Sequence, residues 1–388
     1  MQPKILYVGP LKDFSGYASA ARNYVMALDI AGCNLVTRDL RYDGGDINRV
    51  GRAKELAEGN LRDVDIFIQQ TTPNEMEPKP GLFNVGIFCW ETDRIPQIWV
   101  DHLNRMQLVI VPCEDNLQVV RRCGVVTPVE KIHYSCDLSA YSSKPKPFLI
   151  PRVDNHFKML SICQFSKKKG VDPLLKAYFT EFDANDPVVL ILKLYITPAD
   201  GPEQKQRIQG LVQAMRDILR LKAYPPVMLI HEVMDHGGIQ RLYSTADCYV
   251  LPSRGEGWGV PHFDALGYGL PTIATAGTGP TEFITDECGW LVDSHISPVC
   301  DMPHPFEFLY TGKENWREPH VGSLKKCMRS AFELWLNRDS QCAMASKWSD
   351  MQSAAKERVK DFSNHIMGPI LRDTIMKYYG IWKESQCS

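Results

Sequence analysis

The stretch RGEGWGVPHFDALGYGLPTIATAGTGPTEFI, Arg254 to Ile284, decides how the rest of the chain is interpreted. A buried-strand pattern, Asp247 to Leu251, precedes it, and Pro252 ends that strand because proline cannot donate to a sheet ladder. Three alternating glycines follow: Gly255, Gly257 and Gly259. They let the next loop take positive φ and approach a ligand with no Cβ in the way.

The same stretch then predicts a short helix. Pro261 suits the first turn, Phe263 to Tyr268 continue the helix, and Gly269 and Pro271 end it. The free N–H groups and the positive dipole end of such a helix form an anion site. A helix that directly follows a glycine loop, which itself follows a strand, is therefore expected to bind a phosphorylated ligand.

Two acidic residues lie eight positions apart in this segment. Glu256 falls in the glycine loop and Asp264 about one turn into the helix, so both side chains can face one cavity. Carboxylates beside exposed N–H groups suit a ligand with sugar hydroxyls at its ends and phosphates between them. The alternative is an ordinary strand, turn and helix whose acids are simply solvated.

The stretch resembles the donor-binding signature of retaining glycosyltransferase family 4, in which two glutamates separated by seven residues flank a glycine-rich loop. The matching positions beyond the acids are Pro252, Ser253, Gly269, Leu270, Pro271, Thr272 to Thr275, Gly277, Gly279 and Glu282. One departure is Asp264, which is one methylene shorter than the usual glutamate. The resemblance extends over about residues 85 to 140 and 157 to 293.

The resemblance implies an α/β protein of GT-B architecture, with two doubly wound Rossmann-like domains that face an interdomain cleft. Residues 1–150 are expected to form the acceptor-side domain, and 151–362 the nucleotide-sugar domain. A C-terminal helix, about 363–388, is expected to cross back to the first domain. The proline-rich, polar segment Tyr141 to His156 is the predicted linker.

Length and composition agree with this division. A chain of 388 residues exceeds a single core, and its 44% hydrophobic and 23% charged residues are ordinary for a globular protein. The net charge of −2 gives nucleic acid no support. Twelve cysteines without a CxxC pair speak against zinc ribbons and a disulfide framework. A soluble cytoplasmic protein is expected, with peripheral membrane contact left open.

The N-terminal half begins as a strand, helix and strand. Ile5 to Val8 and Asn34 to Thr37 are the predicted strands, and the loop between them lacks GxGxxG, which removes the main support for nicotinamide binding. The resemblance assigns this loop, with Gly16 and Tyr17, to the donor. A tight turn at a helix start is the alternative.

The next strands are Asp65 to Gln70 and Phe83 to Trp90. Because strand carboxyl ends present ligand groups in α/β sheets, the acceptor or cleft candidates are Glu91, Thr92 and Asp93. Many family members place a sugar-binding histidine here, and this loop has none. The acidic pair Asp63 and Asp65 formally matches a metal-binding DxD, but it precedes an apolar strand and is interpreted as a helix-to-strand loop.

The second half restarts at the strand Phe157 to Cys163, followed by QFSKKKG. In the family this loop carries an arginine and a lysine that clamp the donor diphosphate. Lys169 matches the lysine, whereas Gln164 occupies the place of the arginine. A two-cation clamp then requires Lys167, Lys168 or Lys193 as a substitute; three loop lysines can also be a solvated run.

Further elements complete the pattern. The predicted strands are Val188 to Leu194 and Val227 to His231; the predicted helices are Gln97 to Met106, Val171 to Phe182, Gln206 to Leu221, Ile239 to Thr245, Ser323 to Leu336, Cys342 to Val359 and His365 to Tyr379. The loop Glu232 to Gly237, which holds Met234, is expected to face the nucleotide base.

The resemblance implies metal-independent catalysis by Glu256 and Lys169, in which Glu256 binds hydroxyls of the transferred sugar and Lys169 meets the developing diphosphate charge. The donor-binding candidates are Gly16, Tyr17, Gln164, Lys168, Lys193, Met234, Gly257, Trp258, Gly259, Val260 and Asp264. No metal ligands and no cofactor are assigned.

The predicted function is a retaining hexosyltransferase that moves a sugar from a nucleoside diphosphate sugar to a hydroxyl of a glycan or glycoconjugate. GDP-mannose is the favoured donor only because it is frequent in the family. A non-catalytic sugar-nucleotide-binding or scaffold subunit is the main alternative, and a nucleotide-sugar epimerase a lesser one. A homodimer is left open.

Overall fold

The computed structural model describes residues 2–40, 50–143, 145–151, 153–196, 202–302, 309–340 and 345–387. They form two compact units, one comprising Met1–Leu138 with Asp361–Ser388 and the other Ser139–Lys360. The chain first passes from one unit to the other between residues 138 and 139, so the predicted linker at 141–156 lies inside the second unit.

The first unit contains a six-stranded sheet with the order β2-β1-β3-β4-β5-β6, in which all neighbours are parallel. Its strands are β1 (Lys4–Gly9), β2 (Asn34–Asp39), β3 (Ile66–Gln70), β4 (Phe83–Ile87), β5 (Leu108–Val111) and β6 (Val129–Lys131). Every residue of β3, β4 and β5 is buried, as is typical of strands covered by helices on both faces.

The described residues of this unit form the helices α1 (Gly16–Ile30), α2 (Gly51–Glu58), α3 (Gln97–Leu103), α4 (Glu114–Arg122) and the C-terminal α11 (Asn364–Cys387). Helix α11 packs closely on α1. The contact requires glycine at position 368, because an added Cβ at Gly368 would lie 2.2 Å from the carbonyl oxygen of Ala27. Arg372 Nη1 also donates to the carbonyl oxygen of Ala31 at 2.8 Å.

The second unit has another six-stranded parallel sheet, with the order β12-β11-β10-β7-β8-β9. Its strands are β7 (Phe157–Gln164), β8 (Val188–Tyr195), β9 (Val227–Ile230), β10 (Cys248–Leu251), β11 (Thr272–Thr275) and β12 (Gly289–Val292). Strand order reverses between β7 and β10, and such a switch point is where α/β sheets bind ligands at the carboxyl ends of their strands.

Helices and a hairpin complete the described part of the second unit. The helices are α5 (Val171–Glu181), α6 (Pro202–Leu219), α7 (His236–Thr245), α8 (Val260–Gly267), α9 (Val321–Leu336) and α10 (Ala345–Lys360); the antiparallel hairpin pairs β13 (Ser294–Pro298) with β14 (Asn315–Pro319). Two doubly wound Rossmann-like domains, the predicted fold class, are therefore confirmed.

Several predicted boundaries are wrong. The strand expected to reach Trp90 ends at Ile87, and the backbone N–H of Trp90 donates to the Asn116 side chain at 2.9 Å and not to a neighbouring strand. The helix expected to reach Met106 ends at Leu103. Elements absent from the sequence interpretation are α2, β6, β12 and the hairpin. Residues 342–344, where a helix was predicted to begin, lie outside the described residues.

Candidate functional site

The site is built where two loops meet at the switch point of the second unit. One loop follows β7 and carries Lys169, and the other follows β10 and carries Glu256. Gly170 makes their approach possible, because it has φ +65° and an added Cβ would lie 2.1 Å from the carbonyl oxygen of Pro252. Only glycine tolerates both the left-handed backbone and this contact.

Lys169 and Glu256 form an ion pair, with 2.7 Å between Nζ and Oε1. Ser253 Oγ donates to the same Oε1, also at 2.7 Å. The side chains of Lys169 and Glu256 are 17% and 7% exposed, so the pair is largely withdrawn from water but still accessible. Within the described part of the chain no hydrogen bond reaches Oε2 of Glu256, which leaves that oxygen for a ligand hydroxyl.

Glu256 is ionised at any ordinary pH. Burial alone raises the pKa of a carboxyl group, but the positive charge of Lys169 and the hydrogen bonds from Lys169 and Ser253 bring the pKa of Glu256 down to about 2. The pair therefore offers one fixed negative charge and one fixed positive charge, side by side, to whatever enters the switch point.

The turn after β11 holds the glycine loop in place. Gly279 N–H donates to the carbonyl oxygen of Glu256 at 2.8 Å, and an added Cβ at Gly279 would lie 2.6 Å from the backbone of Trp258. Gly259 takes φ +92° where α8 begins. The indole of Trp258 is 3% exposed between Phe263 and Phe283, so only its backbone is offered to a ligand.

Arg254, two residues before Glu256, forms ion pairs with carboxylates of the protein. Its guanidinium bonds Asp172 Oδ1 at 2.8 Å and Glu318 Oε2 at 2.5 Å, and its side chain is 3% exposed. These contacts join the glycine loop to the start of α5 and to strand β14. Arg254 is thus a structural cation and is not available to a phosphate.

The replacement candidates for the missing arginine lie in different surroundings. Gln164 is exposed, and its amide donates to the carbonyl oxygen of Ile196 at 3.1 Å. Lys167 is paired with Asp172 at 3.1 Å. Lys168 accepts the N–H of Arg254 through its carbonyl, and Lys193 is buried at the end of β8, with Nζ 5.7 Å from the ring centre of Tyr195.

Two further donor candidates flank this centre. Met234 is half-buried in the loop between β9 and α7, directly before Asp235, which caps α7 by accepting from Gly238 N–H at 2.7 Å. Asp264 accepts a hydrogen bond at Oδ1 from the Tyr141 hydroxyl, at 2.7 Å. Burial outweighs that hydrogen bond and raises the pKa of Asp264 to about 6.

Asp264→Asn should make the protein more stable at pH 8 by about 2 kcal/mol, because a pKa raised from 3.8 to about 6 means that ionising the folded state costs free energy. This contribution of Asp264 to stability is present below the unfolded pKa and is lost as the pH rises through the folded pKa. Urea unfolding at pH 4.5 and pH 8 measures it, with the exposed Asp339→Asn as control. An equal difference at both pH values contradicts the prediction.

In the first unit, the sequence candidates occupy loops at strand carboxyl ends. Gly16 starts α1, and Tyr17 donates to the carbonyl oxygen of Ile87 at 3.2 Å. Thr92 is buried, and its hydroxyl donates to the carbonyl oxygen of Arg94 at 2.8 Å. Glu91 and Asp93 are half-buried on either side of Thr92. Their ligand roles stay predictions.

In the acidic pair before β3, Asp65 accepts hydrogen bonds from other parts of the protein. Asp65 Oδ2 accepts the N–H of Lys4 at 2.9 Å, and Oδ1 accepts the hydroxyl of Tyr379 at 3.3 Å. Asp63 takes φ +58° in the turn before it. Asp65 therefore ties β1 and α11 to the sheet. Among the described residues, no group of three or more His, Cys, Asp or Glu side chains could hold a metal ion.

Several residues that shape the site were not predicted from the sequence. They are Tyr141, Asp172, Ser253 as a direct partner of Glu256, His262 and Glu318. Of these, His262 is buried beneath the loop, with Nε2 2.9 Å from the carbonyl oxygen of Leu251, and burial lowers its pKa. Ser253 and His262 lie within the central stretch, where a signal was available. The other three are far from it in sequence.

Part of the chain matches a known protein family. Residues 145–298 match the family model described as glycosyl transferases group 1. A glycogen synthase from Dechloromonas aromatica (strain RCB) is 34% identical over 67 residues, which are 17% of this chain and 14% of that protein.

Solved structures resemble the chain over almost its whole length. Sucrose-phosphate synthase from Thermosynechococcus elongatus has a TM-score of 0.63 at 15% identity, covering 98% of this chain and 100% of that one. Alr3699/HepE from Anabaena, in complex with UDP and glucose, has a TM-score of 0.59 at 14% identity, covering 97% and 100%. At these identities the likeness shows the fold. Among the described residues, no helix is long and apolar enough to cross a bilayer.

Proposed function

We propose that this protein is a retaining hexosyltransferase that moves a sugar from a nucleoside diphosphate sugar to a hydroxyl of a glycan or glycoconjugate. The observation that carries the proposal is the ion pair of Lys169 and Glu256, 2.7 Å apart at the switch point of the second unit. A fixed cation beside a fixed carboxylate matches a substrate in which a phosphate is joined directly to a hydroxyl-bearing sugar.

Lys169 and Glu256 have complementary parts in the proposed reaction. Lys169 and backbone N–H groups bind the diphosphate and stabilise its charge as the bond from the anomeric carbon to the phosphate oxygen breaks. Glu256 accepts hydrogen bonds from the sugar hydroxyls through Oε2. The acceptor oxygen forms the new bond on the face that the phosphate leaves, and its proton passes to a phosphate oxygen, which gives retention.

The donor is proposed as GDP-mannose, on the frequency of that donor in the resembling family. The likeness to a protein solved with UDP and glucose makes uridine sugars the competing choice. Calorimetric titration with GDP-mannose, UDP-glucose and UDP-N-acetylglucosamine separates them, followed by transfer assays in which the configuration of the new bond is determined by NMR. Binding of none of the three, or transfer with inversion, contradicts the proposal.

The same assays in excess EDTA test the proposed independence from metal ions. Because Lys169 and backbone donors meet the diphosphate charge, transfer should continue at an unchanged rate. Loss of activity that manganese restores would assign the phosphate contact to a metal ion instead and would bring Asp63 and Asp65 back as candidate ligands.

A non-catalytic sugar-nucleotide-binding subunit is the second candidate. It is favoured by two observations: the Gln164 amide is bonded to the carbonyl oxygen of Ile196, and Asp264 is bonded to Tyr141. Both side chains stand at positions where the resembling family holds its donor. Tight donor binding without transfer to any hydroxyl acceptor or to water would support this candidate over the enzyme.

Gln164→Arg should strengthen donor binding by a few-fold to about tenfold, because an arginine fork takes two phosphate oxygens with charge-assisted bonds and a neutral amide cannot. Lys169→Ala should weaken binding severely, since diphosphate recognition then loses its central cation. Titration with the preferred nucleoside diphosphate measures both. Normal binding by Lys169→Ala places the phosphates elsewhere, with Lys168 and Lys193 the next side chains to test.

A further inference from the structure

Arg317 of β14 is a half-buried cation in the second unit. Its guanidinium forms no hydrogen bond and no ion pair with any residue that the structure describes. The guanidinium lies directly on the backbone of Gly277, where an added Cβ would come within 2.9 Å of Nε and 3.3 Å of Nη2. Because a guanidinium carries five N–H donors and stays charged at any ordinary pH, this side chain is able to bind an anion.

The charges around Arg317 are balanced without it. Arg254 and Lys167 bind the carboxylates of Asp172 and Glu318 at distances of 2.5 to 3.1 Å, so two cations meet two carboxylates. Successive residues of a strand point to opposite faces, so Glu318 turns towards Arg254 while Arg317 turns away from it. Arg317 therefore adds a positive charge that neither of these carboxylates neutralises.

Two backbone hydrogen bonds join the surroundings of Arg317 to the loop of Glu256. The N–H of Arg317 donates to the carbonyl oxygen of Arg254, two residues before Glu256, at 2.9 Å. On the other side, Gly279 N–H donates to the carbonyl oxygen of Glu256 at 2.8 Å. Gly277 lies two residues before Gly279, a span of at most about 7 Å. The guanidinium on Gly277 is therefore near enough for one substrate to contact both it and Glu256.

The order of the strands places Arg317 on the opposite side of this loop from Lys169. Lys169 follows β7, Glu256 follows β10 and Gly277 follows β11, and β10 lies between the other two strands in the sheet. Neighbouring strands are about 4.8 Å apart, so β7 and β11 are separated by about 10 Å. With the proposed diphosphate at Lys169 and the proposed sugar at Glu256, Arg317 lies beyond the sugar. An anion bound there is distinct from the diphosphate.

We propose that Arg317 forms an anion subsite beside the transferred sugar and selects a substrate that carries a carboxylate or a phosphate there. This role of Arg317 rests on the proposed function, because Lys169 and Glu256 set the direction in which the ligand is bound. The anionic group belongs either to the transferred sugar, as in a uronic acid, or to the acceptor. In both cases the planar guanidinium can bind two oxygens of the group with charge-assisted hydrogen bonds.

Calorimetry with matched charged and neutral ligands tests the subsite. One arm compares UDP-glucuronate with UDP-glucose, and GDP-mannuronate with GDP-mannose. The other arm adds glucose 6-phosphate or glucose to protein saturated with UDP or GDP, whichever binds. In one arm the charged ligand should bind about tenfold more tightly, because it gains a charge-assisted bidentate contact. A preference in the first arm assigns the anionic group to the donor sugar, and a preference in the second assigns it to the acceptor.

Arg317→Gln should abolish this preference and leave the binding of the neutral ligands unchanged, whereas Arg317→Lys should keep part of the preference. Because the side chain has no partner among the described residues, the urea midpoint of both variants should equal that of the unaltered protein. Lys313→Gln is the matched control, since it removes one exposed positive charge two residues before β14 and should keep the full preference.

Three results overturn the inference alone while a neutral nucleotide sugar still binds: no preference in either arm, a preference that Arg317→Gln retains, or a preference that Lys313→Gln loses equally. An unaltered protein that binds no nucleotide sugar overturns the proposed function as well.

Discussion

Glu256→Gln should lower the rate of sugar transfer by about 100-fold, because the substitution removes charge-assisted hydrogen bonds to the transferred sugar. Binding of the free nucleoside diphosphate should stay the same or tighten. Glu256 neutralises Lys169 at 2.7 Å, so its loss leaves the whole lysine charge for the phosphates. Transfer assays under saturating donor and calorimetry with the diphosphate measure the two effects separately.

Ser253→Ala is the control for this prediction. It removes one neutral donor to Glu256 Oε1 and keeps the charge, so turnover should fall by less than about tenfold. Since the pKa of Glu256 is about 2, its ionisation should leave no inflection in the rate between pH 5 and 8. The assignment is wrong if diphosphate binding collapses while the bound fraction still transfers sugar.

Arg254→Met should destabilise the protein by about 3 to 5 kcal/mol at pH 7, because it leaves the carboxylates of Asp172 and Glu318 without their common cation. Although burial acts to raise the pKa of Asp172, the hydrogen bond and charge of Arg254 lower it overall. The stability that Asp172 contributes is therefore present above its unfolded pKa and lost at lower pH. The cost of the substitution should shrink below pH 4. Urea unfolding monitored by tryptophan fluorescence measures it.

Arg105→Met gives the comparison for an exposed pair. Arg105 and Glu77 are 3.1 Å apart and their side chains are 49% and 63% exposed, so removing this pair should cost less than about 1 kcal/mol. Equal losses for Arg105→Met and Arg254→Met would show that the buried network does not stabilise the second unit more than a surface ion pair does.

Local sequence patterns predicted most of the strands and helices and their order along the chain. Strands such as Phe157–Gln164 and Val188–Tyr195 are almost entirely buried, and a continuous apolar run of that length is visible without tertiary information. Short or polar strands were not predicted. Strand β6 has only three residues, and β13 and β14 contain His295, Arg317 and Glu318, whose polarity resembles that of a loop.

The central residues of the candidate site were predicted from the sequence, but the contacts between them were not. Glu256, Gly259 and Asp264 were predicted because the glycines, prolines and acids of one short segment obey local rules of turns and helix starts. Lys169 was predicted by resemblance, at a position 87 residues before Glu256. That Lys169 and Glu256 are bonded follows from the pairing of β7 with β10, which no local pattern encodes.

The sequence by itself determined the alternation of strands and helices, the two-domain division and the acidic glycine loop, because each depends on residues that are neighbours in the chain. Only the tertiary structure decided that Arg254 is bound by Asp172 and Glu318, that Gln164 bonds a carbonyl, and that Tyr141 reaches Asp264 across 123 residues. The physical reason is that a polar side chain takes its partner from whatever the packed strands bring within hydrogen-bonding distance, and burial makes that partner obligatory.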